Sequence, residues 1–320
     1  MNLLPKPKKI TEKGGQLLLC HSMYIVISKE ISDNGIYAAK RLQEAIRQET
    51  GLLLRLSVGE TRDGDLSLGI TETLSGQAYE ITINENGVQI LGGDGAGVLY
   101  GVETFCQILQ QYGGALPCMQ IMDAPDMPNR GYYFDQTRGR ILKLEELKKI
   151  ADRMSLYKLN QLQLYVEHTY LFRDFSEMWR DQTPITAEEI RELDSYCRER
   201  HIELVPSLAS FGHLCTLLST KTYGDLCEME DSWKEPFSFW NRMRYHTINV
   251  SDGRSLPLIK KMIAEYMQLF SSDKFNICAD ETFCLGKYKS KELAKECGIH
   301  RLYIDYVKEL AQFLVENGKI

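Results

Sequence analysis

The sequence predicts an α/β protein in which a small N-terminal α/β domain, residues 1–125, precedes a (β/α)8 barrel domain, residues 126–320. Strand-like and helix-like segments alternate four times after Gly131, which is typical of parallel βα units. The proline-containing segment DAPDMPNRG separates these units from a region with a different pattern, which includes a predicted hairpin. The chain has 320 residues, enough for two domains.

The first domain is predicted from its local patterns. NGIYAAKRLQEAIRQETG is a helix that ends at Gly51 and has one apolar face, formed by Ile36, Ala39, Leu42 and Ile46. LLLRLSV and LSLGI are strands. YEITINENGVQIL is a hairpin with a turn at Asn86-Gly87, and GAGVLYGVETFCQILQQ is an amphipathic helix.

Four glycines stand at or near the start of that last helix: Gly92, Gly93, Gly95 and Gly97. A glycine-rich entry to a helix can bind phosphate. This one lacks the Lys-Ser/Thr of a P-loop, and the GxGxxG spacing fails. We therefore interpret the glycines as a tight turn before a packed helix.

The second domain is predicted as four strand–helix units. The strands are GYYFDQ, QLQLYV, IELVPSL and FNIC, and the helices lie in KLEELKKIADRMSLYKLN, AEEIRELDSYCRERH, LPLIKKMIAEYMQLF and HRLYIDYVKELAQFLVENG. Thr186 and Glu189 form a predicted capping box, Ser255 is a predicted N-cap, and Gly318 ends the last helix. A closed barrel needs eight units. We therefore expect the chain to hold about the first half of the barrel, and residues 1–320 alone to have little activity.

Composition excludes several classes of protein. Apolar residues make up 43% and charged residues 26% of the chain, and the net charge is -6 without a basic cluster, so we expect no nucleic-acid partner. No apolar run has the roughly 20 residues of a membrane helix, so we expect no membrane partner. The nine cysteines lack a CxxC pattern, and the first residues lack a signal-type apolar segment, so we expect reduced thiols and a cytoplasmic location.

Each of the four predicted strands is followed at its C-terminal end by side chains that can take part in catalysis. The active sites of such barrels lie at these ends. In chain order these are Asp135 and Arg138, Glu167 and His168, Gly212-His213 after a short loop, and Asp280 and Glu281. Each has another interpretation, since an Asp-Glu pair after a strand is often a helix cap and an arginine is often a salt-bridge partner. Their convergence on one rim favours a catalytic site.

The same segments resemble the family 20 glycoside hydrolases, the β-N-acetylhexosaminidases, over nearly the whole chain. GAGVLYGVETFCQIL resembles the end of the α/β domain that precedes their barrel, and NRGYYFDQTR resembles the Arg-Gly…Asp-x-x-Arg start of their first barrel strand. MSLYKLNQLQLYV, IELVPSLASFGH and FNICADET resemble the next three strand regions, including the Gly-His and Asp-Glu pairs. The order and spacing of these segments make the resemblance specific.

The resemblance implies a substrate-assisted mechanism, in which the substrate's 2-acetamido oxygen is the nucleophile. Glu281 would be the general acid and then the base, and Asp280 would orient the acetamido group and stabilise its positive charge. Arg130 would bind sugar hydroxyls, and His213 would tune the acid. The implied partner is a glycan that contains N-acetylhexosamine, with no cofactor and no metal.

Two segments depart from the family pattern. In the second strand, QLQLYVEHTY replaces the usual His-x-His-x-x-Asp-Asp, so Glu167 and His168 stand where acids are expected. In the fourth strand, FNICADE has Asn276 in place of the usual histidine and Cys278-Ala279 in place of the usual glycines. Three alternatives stay open at this point. The first is a non-catalytic carbohydrate-binding relative, and the second is a two-carboxylate glycosidase with Glu167 as its second acid. The third is a structural barrel in which Asp280 and Glu281 are only caps. GlcNAc or GalNAc preference and exo or endo action also stay open.

Overall fold

The structure is a computed structural model that describes residues 1–31, 34–236 and 238–320. The chain forms two compact units. The first comprises Met1–Gly131, Lys149–Asn160 and Tyr196–Ile202, and the second comprises Tyr132–Lys148, Gln161–Ser195 and Glu203–Ile320. Among the described residues, none of the helices combines the length and the apolar character that crossing a bilayer requires.

The first unit contains a seven-stranded mixed sheet with two helices. The elements are β1 (Lys9–Leu18), β2 (Tyr24–Ile27), α1 (Asn34–Thr50), β3 (Arg55–Val58), β4 (Leu66–Ile70), β5 (Tyr79–Asn84), β6 (Gly87–Gly92), α2 (Gly95–Tyr112) and β7 (Ala115–Asp123). The strands lie in the order β1-β7-β5-β6-β4-β2-β3. The predicted hairpin is the antiparallel pair β5–β6, in which Asn84 pairs with Gly87. Alternate residues of these strands and the apolar faces of both helices form one hydrophobic core.

Two of the glycines at the start of α2, Gly93 and Gly97, are required by close backbone contacts. A Cβ on Gly93 would lie 1.9 Å from the Ser75 carbonyl oxygen, and a Cβ on Gly97 would lie 2.2 Å from the Ala78 carbonyl oxygen. The Asp94 side chain caps the helix by accepting a hydrogen bond of 2.8 Å from Gly97 N. These contacts support the interpretation as a tight turn before a packed helix.

The second unit contains a three-stranded sheet. Its strands are β8 (Gly131–Asp135), β9 (Gln161–Val166) and β10 (Glu203–Leu208). They lie in the order β10-β9-β8, and β9 and β10 are parallel. The remaining helices are α3 (Leu144–Leu156), α4 (Ser176–Trp179), α5 (Ala187–Glu199), α6 (Cys215–Leu218), α7 (Phe239–Arg244), α8 (Ser255–Met267), α9 (Lys291–Cys297) and α10 (Ile299–Glu316). Each pair of successive strands is thus connected through a helix, as βα units require.

Helix ends match the predictions in two of three cases. Thr186 and Glu189 form the predicted capping box, with Thr186 N bonded to Glu189 Oε2 at 2.9 Å and Glu189 N bonded to Thr186 Oγ1 at 3.2 Å. Gly318 has a φ of 73° just after α10. The predicted N-cap at Ser255 is wrong, because its hydroxyl donates instead to the Asn249 carbonyl at 2.6 Å.

The predicted fourth strand, Phe275–Cys278, is reduced to a single parallel bridge between Asn276 and Ser207 of β10. Asn276 N donates to the Pro206 carbonyl at 2.9 Å, and Leu208 N donates to the Asn276 carbonyl at 3.0 Å. The ladder ends there because Cys278 has a φ of 42°, outside the β region. The segment still lies parallel to β10, as the βα prediction requires.

Candidate active site

The acidic pair follows directly from this bridge. Asp280 and Glu281 lie in the loop that leaves Asn276, and both side chains are partly open to solvent, with exposed fractions of 65% and 42%. The bridge holds the start of the loop against β10. Two adjacent carboxylates are therefore presented at the end of a parallel strand pair rather than on a helix cap.

The backbone around the pair adopts unusual conformations. Glu281 has a φ of 51°, Cys278 of 42° and His213 of 59°. Residues other than glycine rarely adopt these positive φ angles. The backbone strain that such angles cause is found most often at functional sites. The Asn276 side chain stabilises the turn, since its Oδ1 accepts a hydrogen bond of 3.0 Å from Cys278 N.

His213 is the buried partner of both acids. Its Nε2 lies 3.2 Å from Glu281 Oε2 and 3.6 Å from Asp280 Oδ2, while its side chain is only 2% exposed. Its Nδ1 has no hydrogen-bond partner among the described residues. Gly212 makes this approach feasible, because a Cβ there would lie 2.5 Å from the Asp280 carbonyl oxygen. An imidazole and two acids thus share one site, where a proton can be donated and taken back.

A second group of the predicted residues forms an ion-pair network in the same unit. Arg138 Nε donates to Asp135 Oδ2 at 2.5 Å. Burial lowers the pKa of Arg138 and the Asp135 carboxylate raises it, and the net direction is upward. The Arg138 guanidinium also lies 5.1 Å from the centre of the Tyr165 ring. Asp135 and Arg138 are therefore held together as a half-buried pair next to Tyr165.

Glu167 is buried and fully engaged. Its side chain is 3% exposed, its Oε2 accepts from the Arg242 guanidinium at 2.8 Å, and its Oε1 accepts from the Tyr165 hydroxyl at 3.1 Å. His168 lies beside it, with Nδ1 3.9 Å from Glu167 Oε2. Burial and the Arg242 charge lower the pKa of His168 to about 4, so the ring is neutral near pH 7.

Arg130 belongs to the first unit, and its surroundings differ from those expected of a sugar-binding residue. Its guanidinium has five N–H donors. The structure supplies five acceptors: the carbonyls of Lys158, Met127 and Pro128, Gln77 Oε1 and the Tyr100 hydroxyl, at 2.6–3.2 Å. The predicted role in binding sugar hydroxyls stays a prediction, and this geometry instead favours a role in stabilising the fold.

Two residues that contact the acidic loop or Glu167 were not predicted. Tyr133 places its hydroxyl 3.5 Å from Cys278 Sγ, and its ring centre lies 6.0 Å from that of Tyr165. The signal was available, because Tyr133 is two residues before Asp135 in β8 and so shares its face of the strand. Arg242, the partner of Glu167, had no local signal, since it is 75 residues away along the chain.

His213, Asp280 and Glu281 are also the described residues best placed to hold a cation. One ligand atom from each lies within 4.8 Å of the others. Exposed carboxylates often lie this close without an ion, and a structural zinc site has four ligands, usually sulfur and nitrogen. The prediction of no metal stays a prediction.

Comparison with known proteins gives consistent matches along the chain. Residues 1–124 match the family model for glycosyl hydrolase family 20, domain 2, and residues 127–319 match that for the glycosyl hydrolase family 20 catalytic domain. A β-hexosaminidase of Porphyromonas gingivalis is 23% identical over 356 residues, covering 100% of this chain and 44% of the relative. A β-hexosaminidase of Akkermansia muciniphila is 30% identical over 189 residues, covering 52% of this chain and 36% of the relative.

The fold is shared with solved structures. The chitobiase of Flavobacterium johnsoniae has a TM-score of 0.86 at 21% identity, covering 99% of this chain and 51% of that chain. A β-N-acetylhexosaminidase of Streptomyces coelicolor has a TM-score of 0.82 at 19% identity, and the match covers 99% of this chain and 65% of that chain. This chain therefore spans about half the length of the P. gingivalis relative and of the F. johnsoniae chitobiase. These matches confirm the predicted fold class, a small α/β domain followed by the βα units of a TIM-type catalytic domain.

Proposed function

The chain belongs to glycosyl hydrolase family 20, and we propose that the protein removes β-linked N-acetylhexosamine from glycans by substrate-assisted catalysis. The observation that carries this proposal is the pairing of Asp280 and Glu281 against His213, with Glu281 and His213 both in left-handed backbone conformations. The β-hexosaminidases of P. gingivalis and A. muciniphila and the N,N′-diacetylchitobiase of Vibrio harveyi among the relatives support this substrate class.

Glu281 is the proposed proton donor. Its side chain is 42% exposed, so its carboxyl group can reach the glycosidic oxygen of a bound substrate. The neighbouring His213 Nε2, at 3.2 Å, holds the carboxyl group in place. After the leaving group departs, the same carboxylate takes a proton from the attacking water.

Asp280 is proposed to act on the acetamido group. Its carboxylate accepts a hydrogen bond from the amide N–H of the substrate, and it faces the positive charge that develops as the acetamido carbonyl oxygen attacks the anomeric carbon. Because Asp280 and Glu281 are adjacent and Glu281 has a left-handed backbone, each carboxylate can serve a different atom. Orienting an internal nucleophile in this way can lower a barrier by about 7–11 kcal/mol in the best cases.

The alternative two-carboxylate mechanism has weaker support. It needs a free carboxylate as nucleophile about 5–5.5 Å from the acid. Glu167, the candidate named from the sequence, is buried, paired with Arg242 and bonded to Tyr165. A carboxylate held by two donors in this way is suited to fixing Arg242 and not to attacking a sugar.

The proposal is tested on the whole protein with Glu281→Gln and Asp280→Asn. Loss of the acid should reduce turnover about 10²–10⁴-fold on substrates with alkyl or sugar leaving groups, and much less on 4-nitrophenyl N-acetyl-β-glucosaminide, whose leaving group needs little protonation. Asp280→Asn should reduce turnover with both leaving groups alike and weaken inhibition by N-acetylglucosamine-thiazoline, which resembles the cyclised intermediate.

Glu292→Gln is the matched control, because Glu292 is an exposed acid on α9 that pairs with Lys295. It should leave turnover and inhibition unchanged. If Glu281→Gln keeps full turnover per folded molecule on the poor leaving groups, the catalytic assignment is wrong.

A further inference from the structure

A cavity of about 440 Å³ lies within the first unit, and the mechanism proposed above uses none of the side chains that line it. Its size falls within the roughly 300–1,000 Å³ of ligand pockets. Its walls come from the N-terminal segment, from the start of β5, from α2, from the segment after β7 and from the turn after α3. Elements distant along the chain thus form one cavity inside one compact unit.

Lys158 contributes a buried ammonium group to the lining of this cavity. Its side chain is only 7% exposed. Its Nζ donates to the Tyr79 hydroxyl at 3.0 Å and lies 3.7 Å from Asp123 Oδ2. Because an ammonium has three N–H donors, these two neighbours leave at least one of them without an acceptor among the described residues. A buried donor without an acceptor is costly, so Lys158 is suited to donate to a ligand.

Positive charge predominates around the cavity. The ionisable lining residues other than tyrosines are four cations and two acids, namely Lys6, Lys8, Arg130, Lys158, Asp123 and Asp126. Asp126 is exposed and already pairs with Lys8 at 2.6 Å. Arg130 contributes its charge alone, because its N–H donors already have acceptors. The surplus of positive charge favours an anion, and Lys158 is the buried cation that can bind it.

The remaining walls of the cavity are largely apolar. Pro5 and Met127 provide aliphatic surface, and the buried Tyr100 provides an aromatic ring. The N-terminal segment is fixed to α2, since Leu4 N donates to Gln107 Oε1 and Gln107 Nε2 donates to the Leu4 carbonyl, both at 2.8 Å. The walls are therefore formed before a ligand binds, and they match a ligand with an apolar body and one anionic group.

We propose that this cavity binds a small organic carboxylate, with the anionic group at Lys158 and the apolar body against Pro5 and Met127. The carboxylate accepts a hydrogen bond from Lys158 Nζ and supplies the acceptor that the ammonium lacks. A phosphate group has three acceptor oxygens and almost two charges, which is more than this single ammonium can satisfy. The inference is independent of the proposed function, because Asp280 and Glu281 belong to the second unit.

The test titrates the whole protein with benzoate as the probe, followed by NMR. Benzamide keeps the ring and lacks the charge, whereas acetate keeps the carboxylate and lacks the ring. Benzoate should bind about tenfold more tightly than either, and inorganic phosphate should bind no more tightly than acetate. Equal affinity for benzoate and benzamide would overturn the proposal, as would tighter binding of phosphate than of benzoate.

The affinity for benzoate should depend on the protonation of Lys158. Burial lowers the pKa of Lys158 to about 8, against the effect of Asp123 and Glu103, and the Arg130 charge lowers it further. Burial raises the pKa of Tyr79, so its hydroxyl stays protonated. Between pH 7 and pH 9 the ammonium loses its proton, so benzoate should bind about tenfold more weakly at pH 9, whereas benzamide should bind equally at both. Equal benzoate affinity at the two pH values would contradict the proposal.

Lys158→Met removes the ammonium and keeps an unbranched side chain. Benzoate affinity should fall about tenfold, to that of benzamide, and should lose its dependence on pH. Lys13→Met is the matched control, because Lys13 is an exposed lysine on β1 outside the cavity, and it should leave both properties unchanged. If Lys158→Met does not fold, the pH comparison on the unaltered protein decides. A folded Lys158→Met protein that binds benzoate with full affinity would show that the proposal is wrong.

Discussion

Glu281 and His213 have backbone conformations that residues other than glycine rarely adopt. Both have left-handed backbones without being glycine, which costs about 1–3 kcal/mol each. At the neighbouring Gly212, the missing Cβ lets the backbone lie close to the Asp280 carbonyl oxygen. The result is a buried imidazole in contact with two exposed carboxylates.

Arg130 differs from them, because its five N–H donors all have acceptors inside the first unit.

Arg130→Lys distinguishes the structural role of this residue from a role in sugar binding. Lysine has three donors and no planar fork, so several of the five hydrogen bonds are lost. We expect the free energy of unfolding to fall by about 1–3 kcal/mol, at about 0.5–1.5 kcal/mol per bond, with unchanged affinity for N-acetylglucosamine. Denaturant unfolding and calorimetry measure the two quantities, and Arg55→Lys on β3 is the control. A large loss of sugar affinity with full stability would instead support the role predicted from the sequence.

The segment 275–281 shows how an element positions the site without regular secondary structure. One bridge at Asn276 replaces a strand ladder, and the side chain of the same residue caps the turn at Cys278. The other side of the acidic loop contacts Gly212, so the loop is held between β10 and the segment that carries His213. Helix α5 is positioned more conventionally, by the reciprocal capping box of Thr186 and Glu189.

Gly212→Ala tests the contact between the two loops. The new Cβ would lie 2.5 Å from the Asp280 carbonyl oxygen, closer than van der Waals contact allows, so the acidic loop must shift. A displacement of about 1 Å can cost about 10²-fold in turnover, and we expect a loss of that order with a folded protein. Gly253→Ala is the matched control, because nothing lies within 4 Å of its Cβ position. Equal activity of the two variants would show that the contact does not position the acids.

Thr186→Ala tests the capping box of α5. The substitution removes the oxygen that accepts from Glu189 N, which should lower the free energy of unfolding by about 1 kcal/mol. Denaturant unfolding measures the change, and turnover per folded molecule should stay the same. A stability change within error of zero would mean that water replaces the cap at no cost.

For the molecule as a whole, buried histidines couple stability to pH. Burial lowers the pKa of His201 in the first unit and of His168 and His246 in the second, and His168 reaches about 4. These groups stay neutral in the folded protein while they take up protons in the unfolded chain. Their effect on stability therefore appears on the acid side of neutrality.

We expect the free energy of unfolding to be largest above pH 6.5 and to fall as the pH drops from 6.5 to about 4. In that window the unfolded state binds more protons than the folded state, so acid favours unfolding. For His168, a shift from 6.5 to about 4 corresponds to about 3 kcal/mol. Denaturant unfolding across this range measures the slope, and His168→Gln should make it shallower. An unchanged slope in that variant would show that His168 does not titrate as described.

The sequence by itself determined the features that depend on neighbouring residues. Helices and strands follow from apolar spacing, the capping box from Thr186 and Glu189, and the adjacency of Asp280 and Glu281 from the covalent chain. Only the tertiary structure decided which side chains meet: His213 with the acids, Arg242 with Glu167, and Arg130 with its five acceptors. It also decided that Asn276 forms a bridge and not a strand. The physical reason is that most of these contacts join residues tens of positions apart, whereas periodicity and capping report interactions within one element.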